Sequence, residues 1–543
     1  MQVSRLDEAS AKPAGPAWAV AVDFAGLAVA LMLFSWLALS HLHLPGLYQD
    51  EALDIAPALR LLLHAGAWPY SFLPNSLALP LMVSDHVGPT STYLAIPFLW
   101  CFGLSPIAVR AYEFAVGLAA LVMIFFWARR VLPAGAAWVS ALLLAPMPSL
   151  WLACRNGLHV SFIVVPLAAG ALVAFDRWYL GRRACWLYVG AFLLGVGVSS
   201  KILFLWFLVA LGVAVLATRP RLLRELFPRQ AVVSLAWFAA GCAPFLVFNA
   251  LSRGLTLRTI VASLSETPYG VRNAAVLTNL RTQLGSFASL LGGDWLSWAG
   301  ATPRNPIGVV LFLLAAACLL ARLRRPGLRR LHFSLVAVAV ILLASCFTIT
   351  TLGPKHLVLL LPFPTVIVAG ALAAAWADRA RPGWLAALIA LSALGIAQFA
   401  WDLRDDSQYL RWLSRTGGVG QFSSAHNQLA EYLLARGIAR PLAGDWGFDS
   451  NLEVLTGERV RVDQIFDLRE PAPFAFTRRR ARETLPQPGS VYLFHAEQYA
   501  AAPGRFDAVR DEAQTLGLQL IQVASFTDGL GRPVVLVYEG RRL

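Results

Sequence analysis

The chain has 543 residues, 58% of them hydrophobic and only 14% charged, with 18 Trp and a formal net charge of +14. Uninterrupted apolar runs at that composition exclude a water-soluble globular protein and point to a polytopic membrane protein. The positive charge falls in short Arg clusters between the runs, where it reads as membrane topology, so no nucleic-acid partner is expected.

Residues Trp18 to Leu42 form the first apolar run, interrupted by Asp23 and long enough to cross about 30 Å of hydrocarbon at about 1.5 Å per residue. Arg5 and Lys12 precede it and no small-residue cleavage site accompanies it, so it reads as an uncleaved anchor. Where it ends stands Tyr48-Gln49-Asp50-Glu51-Ala52-Leu53-Asp54, three carboxylates at the edge of the bilayer. Ile55, Leu59, Leu62 and Leu63 then repeat at i, i+4, i+7 and i+8, which predicts a helix lying along the membrane surface. Asp50 suits two roles: N-cap of that helix, or a general base whose pKa is raised by partial desolvation. Asp54, one turn on, shares its face as a partner or support.

The segment from Ala65 to Ser105 is rich in Pro and Gly, and its apolar stretch Thr90 to Leu104, about 15 residues, is too short to span. The next run, Ala108 to Trp127, then carries Arg129 and Arg130 inward. Further spans follow at Ala134–Leu152, Val160–Phe175, Leu187–Ser199, Ile202–Ala217, Val232–Leu251, Ile307–Ala321, Leu331–Thr351, Leu357–Trp376 and Trp384–Trp401, eleven in all. On this threading the interior loops collect sixteen Arg, namely Arg129, Arg130, Arg177, Arg182, Arg183, Arg219, Arg221, Arg224, Arg229, Arg322, Arg324, Arg325, Arg329, Arg330, Arg379 and Arg381. The positive-inside rule supports that orientation, with the N-terminus cytoplasmic. The expected organisation is a membrane domain over residues 1–401 with its first external loop at 43–107, a linker at 402–425, and an α/β domain at 426–543 outside the membrane. Within the last, His426 to Gly437 and Phe506 to Leu516 read as helices, and Val491–Phe494, Leu518–Ala524 and Val534–Tyr538 as strands. Asp445 reads as a loop residue after a strand.

Sorting polar residues by side leaves a concentrated external set: Asp50, Glu51, Asp54, Asp85, His86, Arg155, His159, Lys201, Lys355 and His356. Ionisable groups at such positions are functional candidates, although each Lys alone is equally explained by snorkelling to interface water. Several cations on one face beside acids favour an anion site, and a lipid phosphate is the natural anion there. The six cysteines show no CxxC spacing, which indicates neither a disulfide framework nor a zinc site. Clustered acids would admit Mg²⁺ or Mn²⁺, but no ligand spacing demands one, and no cofactor is expected to be required.

Asp50-Glu51, then Asp85-His86-Val87-Gly88-Pro89-Thr90-Ser91-Thr92-Tyr93-Leu94, then Phe102-Gly103-Leu104-Ser105 with Arg110, resemble the first-loop pattern of GT-C glycosyltransferases, in particular the group of protein O-mannosyltransferases and lipid A aminoarabinose transferases. The resemblance implies a GT-C-like helical membrane fold with surface helices in the first loop. It also implies an inverting enzyme of the bacterial inner membrane that moves a sugar from a polyprenyl-phosphate donor to a hydroxyl acceptor on the periplasmic face. The acceptor would be lipid A or its core, an envelope glycan, a glycolipid or a protein. By the match Asp50 is the catalytic acid of the first loop with Glu51 beside it, and Asp85 is the second acid. Substrate contacts fall to His86, Asp54, Arg155, His159, Lys201, Lys355 and His356. A rival reading, a transporter or flippase of lipid-linked glycans, would use the same cations and the same lipid entrance.

Overall fold

The computed structural model describes residues 16–72, 79–157, 161–220, 222, 227–300, 305–322, 328–467 and 470–542. Each apolar run read as a span is helical. Helix α1 (Ala17–Leu39) leads into the first loop, which holds α2 (Gln49–Leu53), α3 (Ala56–Leu63), the short antiparallel pair β1 (Ser71–Phe72) and β2 (Leu79–Pro80), and α4 (Thr90–Phe102). After α5 (Pro106–Val131) come α6 (Ala137–Leu144), α7 (Pro148–Arg155), α8 (Val164–Gly181), α9 (Ala184–Ser200) and α10 (Leu205–Thr218). The chain continues through α11 (Pro228–Gly241), α12 (Ala243–Leu251), α13 (Leu255–Ala262), α14 (Val276–Gly292), α15 (Ile307–Leu320), α16 (Arg329–Ala344), α17 (Pro364–Ala377) and α18 (Pro382–Thr416). The stretch between the apolar runs Val232–Leu251 and Ile307–Ala321 contains α13 and α14.

Among the described residues three helices, α1, α5 and α18, are each long and apolar enough to cross a membrane, and three bent pairs bring the number to six. Those pairs bend by 52° between α6 and α7, 67° between α11 and α12, and 44° where the turn Pro354–Leu360 meets α17. Each second member opens on a proline at its first turn, which removes an N–H and clashes with the carbonyl four residues back. With the shorter apolar helices beside them, these elements make a multi-pass membrane protein. Helix α4 has 13 residues, or about 20 Å of length, short of the hydrocarbon core.

The acid inside the first span has a structural task. Asp23 accepts hydrogen bonds from the N–H groups of Gly135 (3.1 Å), Ala137 (3.0 Å) and Trp138 (3.3 Å), and so satisfies the start of α6. Arg129 lies 3.6 Å away.

The first part of the segment expected as a linker over 402–425 is helical: α18 runs 35 residues to Thr416. Asp402, Asp406, Tyr409, Leu410 and Leu413 fall on one buried face, and the helix stops only at Gly417, whose φ of 66° closes its C-terminus. Beyond it, α19 (Ala425–Ala435), β3 (Leu442–Ala443), α20 (Ser450–Thr456), β4 (Asp463–Gln464), α21 (Ala475–Thr484), β5 (Val491–His495), α22 (Arg505–Thr515), β6 (Leu518–Thr527) and β7 (Pro533–Arg542) build an α/β unit. Its five-stranded sheet has the order β4-β3-β5-β7-β6, with β3 parallel to β4 and β5, and β7 antiparallel to β5 and β6. All five residues of β5 are buried, which explains its unbroken apolar run.

This unit is bound to the first loop. Tyr48 stacks on Phe422 at 4.2 Å between ring centroids and meets Trp446 edge-on at 5.6 Å. Gly46 N–H donates to the Phe422 carbonyl (2.8 Å), Asn451 to the Leu47 carbonyl (3.3 Å), and Gln49 to the Ser450 hydroxyl (3.4 Å). Arg60 on α3 bridges Glu453 (2.7 Å) and Glu458 (2.9 Å). Burial raises the Glu453 carboxyl to about 7 despite Arg60. Because that value exceeds the carboxyl's own range in an unfolded chain, the native state holds the extra proton and this site loses stability as pH rises toward 7. Arg60→Ala is therefore expected to lower stability by roughly 2 kcal/mol near neutral pH, where two enclosed carboxylates lose their cation, and by less at pH 5.5, where Glu453 is protonated. Thermal unfolding in detergent at both pH values measures the difference.

Candidate functional site

The first loop divides its three acids between two tasks. Glu51 is enclosed: Arg110 on α5 donates from Nε to Oε1 (2.8 Å) and from Nη2 to Oε2 (3.3 Å), and the Tyr48 N–H donates to Oε2 (3.2 Å). Both side chains of this ion pair are fully buried. Arg110 also donates to the carbonyls of Leu42 (3.0 Å) and Gly46 (3.2 Å), tying the turn after α1 to α5. Glu51, expected beside Asp50 in the catalytic pair, is held in this enclosed ion pair and orients the turn that carries Asp50.

The helix begins at Gln49 with Tyr48 in the capping position, so Asp50 is not the N-cap. Nor is the surface helix continuous, for Pro57 in the first turn of α3 forces a break at Asp54 and Ile55. Asp50 keeps a partly exposed carboxylate 4.0 Å from the Lys355 ammonium. The Tyr48 phenol is hydrogen-bonded to it, and burial, with the Asp50 charge alongside, pushes that phenol well above its usual range, so it remains a donor.

Asp54 is buried and accepts from Ser161, through the backbone N–H (2.9 Å) and the hydroxyl (3.2 Å), on one oxygen; the other has no hydrogen-bond partner among the described residues. Burial raises Asp54 to about 6, with Lys201 pulling the other way. Burial lowers Lys201 to about 8, with Asp54 and Asp50 pulling up and Lys355 down. These reciprocal influences place Asp50, Asp54, Lys201 and Lys355 in one electrostatic cluster.

Lys201 is presented where α9 breaks before α10. The Asp85–Thr90 loop docks on that break: Gly88 N–H donates to the Ser200 carbonyl (2.9 Å), Ile202 N–H to the His86 carbonyl (3.1 Å), and the Ser200 hydroxyl to Thr90 (2.7 Å), with Val87 and Lys201 paired as an antiparallel bridge. A Cβ at residue 88 would come within 1.7 Å of the Ser199 carbonyl oxygen, so only glycine fits. Asp85 lies 2.6 Å from the His86 ring and accepts from Thr259 on α13 (2.8 Å). The His86 bond chiefly holds Asp85 below the ordinary carboxylate range. Both remain partly exposed beside Lys201. His356, in the turn before α17, lies 3.1 Å from the Thr351 hydroxyl.

Arg155 is fully buried at the end of α7 and donates to the carbonyls of His41 (2.6 Å) and Leu44 (2.8 Å), so it supports the turn that leads to the acids. His159 lies outside the described residues. Asp445, read as a loop residue, is buried in the C-terminal unit, 2.9 Å from His495 and accepting from the Ala501 N–H (3.1 Å). Sequence reading passed over Tyr48 and Ser161; an aromatic two positions before an acidic pair was the one visible signal for the former.

No protein-family model and no curated protein matches the sequence. Solved structures do. The crystal structure of ArnT from Cupriavidus metallidurans bound to undecaprenyl phosphate superposes with a TM-score of 0.61 at 15% identity, over 95% of this chain and 97% of that one. The archaeal oligosaccharyltransferase AglB from Archaeoglobus fulgidus, in complex with an inhibitory peptide and a dolichol-phosphate, superposes with a TM-score of 0.53 at 12% identity, over 92% of this chain and 72% of that one. The chain therefore has the fold of GT-C membrane proteins, as the first-loop residues implied.

Keeping a carboxylate at Asp54 opposes folding once it ionises. Its raised pKa means the native state binds the extra proton between about pH 4 and 6 and loses that advantage above. Asp54→Asn should therefore unfold at a higher temperature than the parent at pH 7, by the equivalent of roughly 2–3 kcal/mol, with the gain vanishing near pH 4. Detergent-phase thermal melts across pH read this directly.

Proposed function

We propose that this protein is an inverting glycosyltransferase that moves a sugar from a polyprenyl-phosphate carrier to a hydroxyl acceptor at the outer face of the bacterial inner membrane. The observation that carries the reading is the cluster itself: one partly exposed carboxylate, Asp50, faces two lysines at the edge of a helical membrane domain with the GT-C fold. In this reading Asp50 takes the proton of the acceptor hydroxyl as it attacks the anomeric carbon. Lys201 and Lys355 offset the charge that collects on the departing lipid phosphate, so the leaving group needs no strong general acid. Tyr48 orients Asp50 and Asp54 keeps Lys201 charged. Asp85 and His86 are assigned to sugar or acceptor contacts, and His356 to the phosphate side. Such chemistry is complete without a divalent metal, because the two ammonium groups supply the charge a metal would bring.

Fold likeness supports this reading: ArnT was crystallised with undecaprenyl phosphate and AglB is an oligosaccharyltransferase complexed with a dolichol-phosphate. The transporter reading would want a chain of ionisable groups through the spans, whereas the acid of the first span, Asp23, is engaged as a helix cap.

Two experiments test the proposal. Asp50→Asn should reduce transfer of labelled sugar from a panel of polyprenyl-phosphate sugars to envelope acceptors by at least about a hundredfold while leaving binding of the donor within a few-fold. Retained turnover would remove Asp50 from the reaction. The rate of the parent should follow a bell, rising as Asp54 ionises near pH 6 and falling as Lys201 loses its proton near pH 8. Lys201→Arg should carry the alkaline limb to higher pH, since a guanidinium stays charged.

A further inference from the structure

On the Arg-rich face of the membrane domain, where α5 ends and α8 turns into α9, a cavity of about 540 Å³ is lined by Arg130, Arg177, Leu180, Gly181, Arg183 and Trp186. The arginines are not equivalent. Arg130 is 2.8 Å from Asp176, and the same carboxylate lies 4.0 Å from Arg330, which also donates to the Arg130 carbonyl at 2.6 Å. One acid is thus shared by two cations. Arg177 has its guanidinium carbon 4.4 Å from the centroid of the Trp186 ring, and neither it nor Arg183 has an anionic partner among the described residues. The reversal that sets them there depends on Arg182, whose φ of 53° ends α8 in the left-handed region.

Topology alone asks only for positive charge somewhere on an inward loop. Here the charges stand around an open surface depression that also presents Leu180 and the indole of Trp186, and one guanidinium lies over that indole. That combination matches the interfacial part of a phospholipid: phosphates at the rim, glycerol and the first methylenes against the wall. Among the lining arginines Arg130 pairs directly with Asp176, while Arg177 and Arg183 have no carboxylate partner among the described residues, which leaves two lining cations to meet two phosphodiester charges. We propose that this cavity binds an anionic phospholipid whose headgroup carries two phosphodiester charges.

The test uses the full-length protein in mixed micelles, titrated with diphosphatidylglycerol, phosphatidylglycerol or phosphatidylcholine and read by native mass spectrometry. The parent should hold diphosphatidylglycerol in preference to the other two, and R177Q/R183Q should bind it roughly thirtyfold more weakly, the equivalent of two interfacial cations. R177K/R183K, which keeps the charge, should retain most of the affinity. If the double glutamine variant fails to fold, R183Q alone should show about a fivefold loss. Equal binding by parent and glutamine variants would overturn the proposal, as would equal competition by phosphatidylcholine. Displacement of the lipid one for one by free pyrophosphate at millimolar concentration would make this a soluble-anion site and also overturn it.

Discussion

The architecture of the site rests on one buried ion pair. Glu51 and Arg110 meet with both side chains removed from water, and Arg110 gathers two backbone carbonyls from the turn that precedes α2. A pair of this kind contributes little net stability, because desolvating two charges offsets their attraction; what it supplies is orientation. Successive residues of a helix point about 100° apart, so locking Glu51 against α5 decides where Asp50 must look. It looks toward Lys355.

The other members of the cluster arrive by a common device. Lys201 sits in extended backbone, with φ −158° and ψ 124°, where α9 stops, and Ser161, at a φ of 59°, lies between α7 and α8. Lys355 belongs to the turn before α17. Each stands where one helix ends before the next begins, and such a turn in a membrane protein is tolerated where its freed polar groups find partners. The Asp85–Thr90 loop provides them at the Lys201 break, strand-fashion.

Much of this was legible in the chain. The apolar runs gave the helices, since a segment in lipid must satisfy its own backbone, and the acidic stretch after the first run gave the location of the cluster. What adjacency concealed was the difference between neighbours. Asp50 and Glu51 are indistinguishable by composition, and only Arg110, 59 positions away on another helix, separates them. Arg155 looked exposed because a polar turn follows it, yet it is buried against the carbonyls of His41 and Leu44. The linker expected after Trp401 was misread because its buried face carries Asp402 and Asp406, acids that make a helical stripe look like solvent-facing sequence; Asp402 is accommodated by Asn305 at 2.7 Å. Strands β3 and β4, two residues each, are too short to leave a periodic signature.

The supports of α2 come from both ends of the polypeptide: Gln49 and Ser450, which touch, are 401 positions apart. A ribosome therefore finishes α18 before Phe422, Trp446 and Asn451 exist to hold Tyr48 and Leu47. Through that interval the nascent chain carries its acids on a five-residue helix lacking half its scaffolding. The support of α2 is thus assembled only once residues 422–451 have joined the chain.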